Sequence, residues 1–229
     1  MSLFSNSALS CPTCETVTEF QAAGSVNADR RSDLRNAILQ NSFQSASCPS
    51  CGERMRLEPR FNYLDMEFGI WMAAHPARQL ADVAEAEAEV QALFDTSYGV
   101  NASDTAQQVG ADLRPRLTFG WPAAREKILL FQAGLDDVAI EMLKLDLLRR
   151  LPQAPLRPGV DLRVVEIAEQ QLGFVWIEND TEAVLEGFEA HCDMLSEIEQ
   201  NASDWADIRA HLTSGVFVDM QRLLLQPAE

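Results

Sequence analysis

CPTC (residues 11–14) and CPSCG (residues 48–52) are two matching C-P-x-C segments in the first quarter of the chain. A C-x-x-C turn places two thiolates on the same side of a tight bend, and two such turns supply the four sulfur ligands of a closed tetrahedral zinc site. The proline after each first cysteine fixes φ and stiffens the turn. We therefore predict one zinc ion bound by Cys11, Cys14, Cys48 and Cys51, with iron in the same geometry as the main competitor.

Four protein ligands leave such an ion no open position for water or substrate, which catalytic zinc requires. The predicted zinc is therefore structural, and no glycine-rich phosphate loop, G-x-S-x-G or H-E-x-x-H motif predicts a catalytic residue elsewhere. His75 is expected to have a surface or capping role, and Cys192 is expected to be a buried small hydrophobic residue. A thiol switch, in which oxidation expels the metal, is the alternative interpretation of the four cysteines.

The spacer between Cys14 and Cys48 has 33 residues, whereas compact ribbons have about 15–20, so it must contain structure of its own. Residues 16–26 contain β-formers, and apolar residues at helical spacing predict a short helix over 32–43, with Asp29 or Ser32 as its N-cap. The alternating, aromatic-rich segment 54–72 predicts two further strands. The N-terminal part is thus predicted to be a zinc-ribbon-like β module with an inserted short helix.

The composition changes after Pro76 to segments with helical periodicity. Helices are predicted over 77–94, over 121–134 with a proline in the first turn, and after Asp136, whose side chain is placed to cap that last helix. The last helix is apolar on two faces and should be central. Segments 162–167 and 173–177 predict a β-hairpin, 181–189 fits a third strand or the start of a helix, and 191–200 and 205–212 predict helices.

The predicted fold class is therefore α+β. A zinc-ribbon-like β module (residues 1–75) precedes an acidic, mainly helical region that ends in a small β-hairpin with helices (residues 76–229). Three prolines at 152, 155 and 158 predict a possible further boundary near 152–160.

The charge is strongly negative and unevenly distributed. The net charge is −17, yet residues 1–75 carry six arginines against eight carboxylates, so most of the excess lies beyond residue 75. This excess repels a phosphate backbone and is typical of a well-solvated surface. No apolar run approaches the roughly 20 residues of a membrane span, and the N-terminus has neither the basic nor the apolar region of a secretory signal. A cytoplasmic protein is expected, in which paired cysteines bind metal rather than form disulfides.

The order CPTC, strand, short helix, CPSCG and a strand ending in FNYLD (residues 61–65) resembles the bacterial CpXC domain family. The resemblance covers about residues 8–75 and extends to 125–128 and 134–137, which look like the helical segment that follows in such proteins. It implies the metal site and this layout, and it implies no activity. Two positions depart from the family pattern: Glu15 replaces a glycine after the first knuckle, and Leu64 replaces a histidine.

Three functions fit these observations. The first is a non-enzymatic zinc protein of the cytoplasm with a protein-interaction or scaffold role, whose partner is another protein. The second is a zinc ribbon associated with nucleic acid in transcription or RNA handling, although the net charge disfavours it. That hypothesis depends on six arginines of the N-terminal module: Arg30, Arg31, Arg35, Arg54, Arg56 and Arg60.

The third function is an enzyme with an acidic pocket between the ribbon and the helices. Its acids would be Asp65, or Asp136 and Asp137, and it requires these carboxyl groups to line a concave site with perturbed pKa values.

Overall fold

The computed structural model describes residues 2–151 and 153–224, and these residues form an α+β fold. The strands are β1 (Leu3–Ser10), β2 (Val17–Asn27), β3 (Ser45–Ser47), β4 (Arg54–Arg56), β5 (Phe61–Asp65), β6 (Ile70–His75), β7 (Arg114–Phe119), β8 (Val160–Ile167), β9 (Gln171–Glu178) and β10 (Val184–His191). The helices are α1 (Ser32–Leu39), α2 (Val83–Ser97), α3 (Asp104–Gly110), α4 (Gly120–Gln132), α5 (Asp137–Arg150), α6 (Cys192–Gln200), α7 (Ala206–Leu212) and α8 (Gln221–Leu224), with a 3₁₀-helix at Ala77–Asp82. None of these helices is long and apolar enough to cross a bilayer.

The larger sheet has five strands in the order β1-β2-β5-β6-β7. The antiparallel pairs β1–β2 and β5–β6 are joined to their neighbours by the parallel pairs β2–β5 and β6–β7. Helices α1 and α4 cover one face of this sheet and α2 covers the other, so five of the six residues of β6 are buried. The division predicted at residue 75 stays a prediction, and the sheet continues across it because β6 pairs with β7.

The smaller sheets differ in how they are stabilised. Strands β8, β9 and β10 form an antiparallel sheet, as predicted for the hairpin, and segment 184–191 is its third strand. This sheet shares a core with α5, α6 and α7. Strands β3 and β4 pair over only three residues each, and a two-stranded ribbon this short is unstable on its own.

Two local predictions about the start of α1 were wrong. Neither Asp29 nor Ser32 caps the helix, which begins after Arg31 without a side-chain hydrogen bond to its first turn. Asp29 instead accepts hydrogen bonds from the backbone amides of Met66 and Glu67, each at 3.1 Å. Its carboxylate therefore fixes the β5–β6 turn, a long-range role that local sequence spacing does not encode.

Helix α4 lies between the two larger sheets and contributes to both cores. Trp121, Ala124, Ile128 and Phe131 pack against the five-stranded sheet, while Leu130 belongs to the C-terminal core. The predicted helix ends are confirmed nearby. Gly134 follows α4 in a left-handed conformation (φ 68°), and the Asp136 carboxylate accepts a hydrogen bond from the amide of Val138 at the start of α5.

A chain of buried charges connects α4 to the elements around it. The members with almost no solvent exposure are Glu126, Lys127, Asp137, Glu141, Lys144, Asp161, Arg163 and Asp219. They alternate in sign along the chain of contacts: the Lys127 amine lies 3.0 Å from Asp137 and 3.1 Å from Glu141. The Lys144 amine lies 2.8 Å from Glu126 and 3.1 Å from Glu141.

Arg163 extends this chain to the C-terminal segment. Its guanidinium group lies 3.0 Å from Glu126, 2.6 Å from Asp161 and 2.6 Å from Asp219. Burial alone would raise the pKa of Asp219, but Arg163 and Lys144 outweigh it and lower this pKa to about 2. Burial opposes ionisation of Asp137 in the same way, yet Lys127 and Arg116 hold its pKa well below the usual value. Asp137 and Asp219 are therefore ionised and depend on their cations, whereas burial raises the pKa of Glu141 despite the neighbouring Lys144 and Lys127.

We expect Lys144→Met to lower the free energy of unfolding by about 3–5 kcal/mol, because removing one partner leaves Glu126 and Glu141 buried beside too little positive charge. The matched control is Arg150→Met in the same helix, whose guanidinium pairs with Asp146 at 57% side-chain exposure. That control should change stability by less than about 1 kcal/mol. Urea unfolding monitored by tryptophan fluorescence measures both, and equal midpoints for the two variants would contradict the expected role of Lys144.

Candidate metal centre

The two C-P-x-C segments form turns with the same hydrogen bonds. In the first knuckle the amide of Cys11 donates to the carbonyl of Thr16, and the amide of Glu15 donates to the carbonyl of Cys11. In the second, the amide of Cys48 donates to Glu53 and the amide of Gly52 donates to Cys48. The first knuckle lies between β1 and β2, and the second lies between β3 and β4. Two separate hairpins thus present equivalent turns.

The residue after each second cysteine has a left-handed backbone. Gly52 has φ 78° and Glu15 has φ 60°. Glycine adopts this conformation without a Cβ clash, whereas glutamate does so at a cost of about 1–2 kcal/mol. The departure at Glu15 therefore leaves the turn unchanged in geometry and adds backbone strain to it.

The four cysteine sulfurs converge on one point between the knuckles. All four sulfur atoms lie within 4.8 Å of one another, with Cys11 and Cys51 at 3.6 Å and Cys14 and Cys48 at 3.5 Å. Four Zn–S bonds of about 2.3 Å in a tetrahedron require sulfur–sulfur distances of about 3.8 Å. The predicted residues are therefore brought together and are positioned to bind a metal ion, in a donor set consistent with zinc.

The thiols of this cluster differ in how easily they ionise. Hydrogen bonds from the Thr16 hydroxyl and backbone amide lower the pKa of Cys14 to about 6. The Glu53 amide favours the thiolate of Cys51, but hydrogen bonding with Cys14 and desolvation outweigh it and raise the pKa of Cys51 to about 12. One thiolate forms easily and a neighbouring one does not, since adjacent negative charges repel. A divalent cation bound among the sulfurs would remove this difference, because it deprotonates each coordinating thiol.

The cluster is asymmetric in exposure. Cys11 and Cys48 are buried with Phe20 and Met55 in a small apolar core, whereas Cys14 and Cys51 are exposed. The first cysteine of each knuckle thus faces the protein and the second faces solvent. The exposed sulfurs supply the access that a thiol switch requires, so that alternative stays open.

A family model described as CpXC protein matches residues 9–144, which is more than half of the chain. The chain belongs to the CpXC family. The match includes both knuckles, the two sheet crossovers and α4, and it ends within α5. No curated protein and no solved structure matches this CpXC chain.

The other predicted residues of the CpXC chain lie apart from the cysteines. Among the described residues, the four cysteines form the cluster that could hold a metal ion, and His75 does not belong to it. His75 packs edge-on against Phe119, and burial lowers its pKa. Cys192 is half-buried at the start of α6 and packs against the C-terminal core.

The arginines and acids named as alternatives are engaged within the fold. Three of the six arginines pair with carboxylates: Arg31 with Asp33, Arg35 with Asp65 and Arg56 with Glu182. Asp136 caps α5 and Asp137 binds Arg116 and Lys127. These acids therefore belong to separate ion pairs and a helix cap.

The buried charged residues of α4 and α5 were not predicted from the sequence. Glu126 and Lys127 lie in α4, and Glu141 and Lys144 lie in α5, which was predicted to be apolar on two faces. Charged residues inside a helix that is apolar almost all round are a usable indication of buried ion pairs. The partners, however, come from different elements and become apparent only in three dimensions.

We expect Glu15→Gly to raise the free energy of unfolding of the metal-loaded protein by up to about 1 kcal/mol, because it removes the Cβ strain of a left-handed residue. Gly52→Ala at the equivalent position of the second knuckle should lower it by about 1 kcal/mol. A Cβ at Gly52 meets no atom within 4 Å, so that loss reports backbone strain alone. The midpoints of thermal unfolding of both variants test whether the two knuckles are equivalent. A lower midpoint for Glu15→Gly than for the wild-type chain would contradict this equivalence.

Proposed function

We propose that Cys11, Cys14, Cys48 and Cys51 hold one structural zinc ion, and that this ion fixes a β-ribbon through which the protein binds another protein. The convergence of four thiols within 4.8 Å supports the metal, and a thiolate-only tetrahedral donor set favours zinc. Four protein ligands leave the ion no open coordination position, so its proposed role is not catalytic.

The ion acts as a clamp between two hairpins. One pair of ligands comes from the β1–β2 connection and the other from β3–β4, whose strands are only three residues long. Binding energy at such a site is folding energy, because the separated knuckles do not form the site. The ion therefore stabilises β3–β4 and fixes the end of the β1–β2 ribbon.

Strand β1 is the surface proposed for the partner. It is an edge strand of eight residues, LFSNSALS, without charge or proline. The other edge strands of the two larger sheets in the described residues carry protective residues: Pro115 and two arginines in β7, two acids and an arginine in β8, and two glutamates in β10. Unprotected edges pair readily with an added strand.

The chemistry of β1 favours a protein over a nucleic acid. Leu3 and Phe4 are 57% and 43% exposed, and the strand offers backbone groups and apolar side chains but no cation for phosphate. An uncharged extended segment of a partner, which pairs its backbone with β1 and packs an apolar side chain against Leu3 or Phe4, matches both features. In a cytoplasmic setting the thiols remain reduced and available to the metal.

The metal is tested by native mass spectrometry of the purified chain and of a Cys48→Ser/Cys51→Ser variant. We expect one zinc ion per wild-type chain and none in the variant, together with loss of ordered structure around β3–β4, because the remaining two thiols cannot close the site. Hydrogen exchange of residues 45–56 reports that loss.

Cys192→Ser is the matched control, since Cys192 lies outside the cluster, and it should retain the zinc ion. A wild-type chain without metal, or a double variant whose exchange is unchanged, would overturn the structural role and favour the thiol switch.

The interaction surface is tested with Asn6→Lys/Ala8→Lys, which adds two charges to exposed positions of β1. We expect proteins that crosslink to the wild-type chain in a lysate to be lost with this variant, because charges on an edge strand oppose strand addition. The control variant Val100→Lys/Asn101→Lys adds the same charge at exposed positions outside β1. It should still crosslink to the same proteins as the wild-type chain. An identical set of crosslinked proteins for all three chains contradicts the assignment of β1.

A further inference from the structure

A polar cavity lies where the N-terminal module meets the C-terminal sheet. Its volume is about 560 Å³, within the range of about 300–1,000 Å³ typical of small-molecule sites. One wall is formed by residues 54–59, a second by the first residues of α4, and a third by the β9–β10 turn at 179–182. The cavity does not include any cysteine of the metal centre.

Two arginines line this cavity together with three acidic residues. Arg54 and Arg56 line it, and Arg125 lies close enough to act electrostatically on Arg56. Three carboxylates also line it. Glu182 pairs with Arg56 at 2.8 Å, Glu58 pairs with Arg78, and Asp180 is exposed. Glu182 and Glu58 are thus paired with Arg56 and Arg78, and within the described residues the lining charges outside these ion pairs are Arg54 and Asp180.

Arg56 is held rigidly at the back of the cavity. Its side chain is 11% exposed, and its guanidinium group stacks on the ring of Trp121, 4.2 Å from the centroid. Its Nε donates to the carbonyl of Phe43, and its Nη1 binds Glu182. Within the described part of the chain its buried Nη2 has no hydrogen-bond partner. Burial lowers the pKa of Arg56 to about 10, so one carboxylate does not fully compensate this cation.

The first turn of α4 adds hydrogen-bond donors on the same side. Gly120 and Trp121 line the cavity, and the helix begins after Phe119 without a side-chain cap among the described residues. The amide groups of a first helical turn lack intrahelical partners and carry partial positive charge. Pro122 has no amide hydrogen, so Gly120 and Trp121 are the backbone donors that this turn offers at the cavity. Helix α4 has 13 residues. Its uncapped end lies beside the largely buried guanidinium group of Arg56 and the exposed one of Arg54, an arrangement that binds phosphate.

We propose that this cavity binds the phosphate group of a small phosphate monoester through Arg54, Arg56 and the first turn of α4. A phosphate dianion matches the two guanidinium groups better than a carboxylate does, because it presents more acceptor oxygens and twice the charge. The Asn179 Oδ1 atom is buried without a partner in the described residues, and Asn179 lines the cavity.

The test is isothermal titration of the full zinc-loaded chain with ribose 5-phosphate, inorganic phosphate and ribose. We expect saturable binding of ribose 5-phosphate and no binding of ribose. Tighter binding of the ester than of inorganic phosphate assigns the site to a monoester. Equal binding of the two assigns it to free phosphate and overturns the monoester proposal, and the absence of saturable binding overturns the site altogether.

Three variants separate this site from general electrostatics. Arg54→Gln should weaken binding about tenfold, since a charge-assisted hydrogen bond to an exposed group is lost. Glu182→Gln should strengthen binding about threefold to tenfold, because it removes the carboxylate that competes for Arg56. A merely structural role of Glu182 predicts no such gain. Arg30→Gln makes the same charge change at an exposed position outside the cavity. An equal loss with Arg30→Gln and Arg54→Gln would show that the phosphate binds nonspecifically.

Discussion

Four thiols within 4.8 Å of one another cannot all ionise unless a cation lies among them, and the N-terminal half of this protein is built around that constraint. The second knuckle comes from a hairpin whose strands pair over only three residues each, whereas the first ends the longer β1–β2 pair of the five-stranded sheet. A metal ion bound among the four sulfurs would convert the repulsion of four thiolates into a cross-link between these hairpins. The geometry of the turns therefore matters as much as the cysteines, and Glu15 adopts a backbone that glycine would adopt without strain.

In the second half of the chain, buried lysines are likewise stabilised by groups of opposite charge. Lys127 and Lys144 are almost fully buried, and burying an ammonium group is costly unless carboxylates surround it. Each lysine amine forms ion pairs with two carboxylates. Each of these carboxylates also contacts another cation or a backbone amide. The resulting chain joins α4, α5, β8 and the C-terminal segment. Its geometry restricts how these elements pack, because a shifted helix would leave a buried charge without its partner.

Sequence predicted those features whose determinants are local. The cysteine pairs, the cap at Asp136, the glycine after α4 and the β8–β9 hairpin all depend on residues within a few positions of one another. It failed where the partner is distant. Strand β1 was also not predicted, because it has no alternating apolar pattern, although it pairs with β2, the next strand along the chain. Asp29 resembles a helix cap but binds the amides of Met66 and Glu67. Individual buried charges resemble surface residues, and only the crossovers of the fold bring their partners together.

Strand β4 connects the metal centre to the cavity. Cys51 precedes Arg54 by three residues, and Met55, between Arg54 and Arg56, packs with Cys11 and Cys48 in the small core beside the cluster. In an extended strand, alternate residues face opposite sides, so Met55 faces the cysteines while Arg54 and Arg56 face away from them. An ion that orders β3–β4 therefore also fixes the two guanidinium groups at the cavity wall. Two ligands that stabilise one segment bind with positive cooperativity, since the first has already ordered what the second requires. The proposed phosphate site and the proposed zinc site are in this sense one folding unit, and the affinity of each should depend on occupancy of the other.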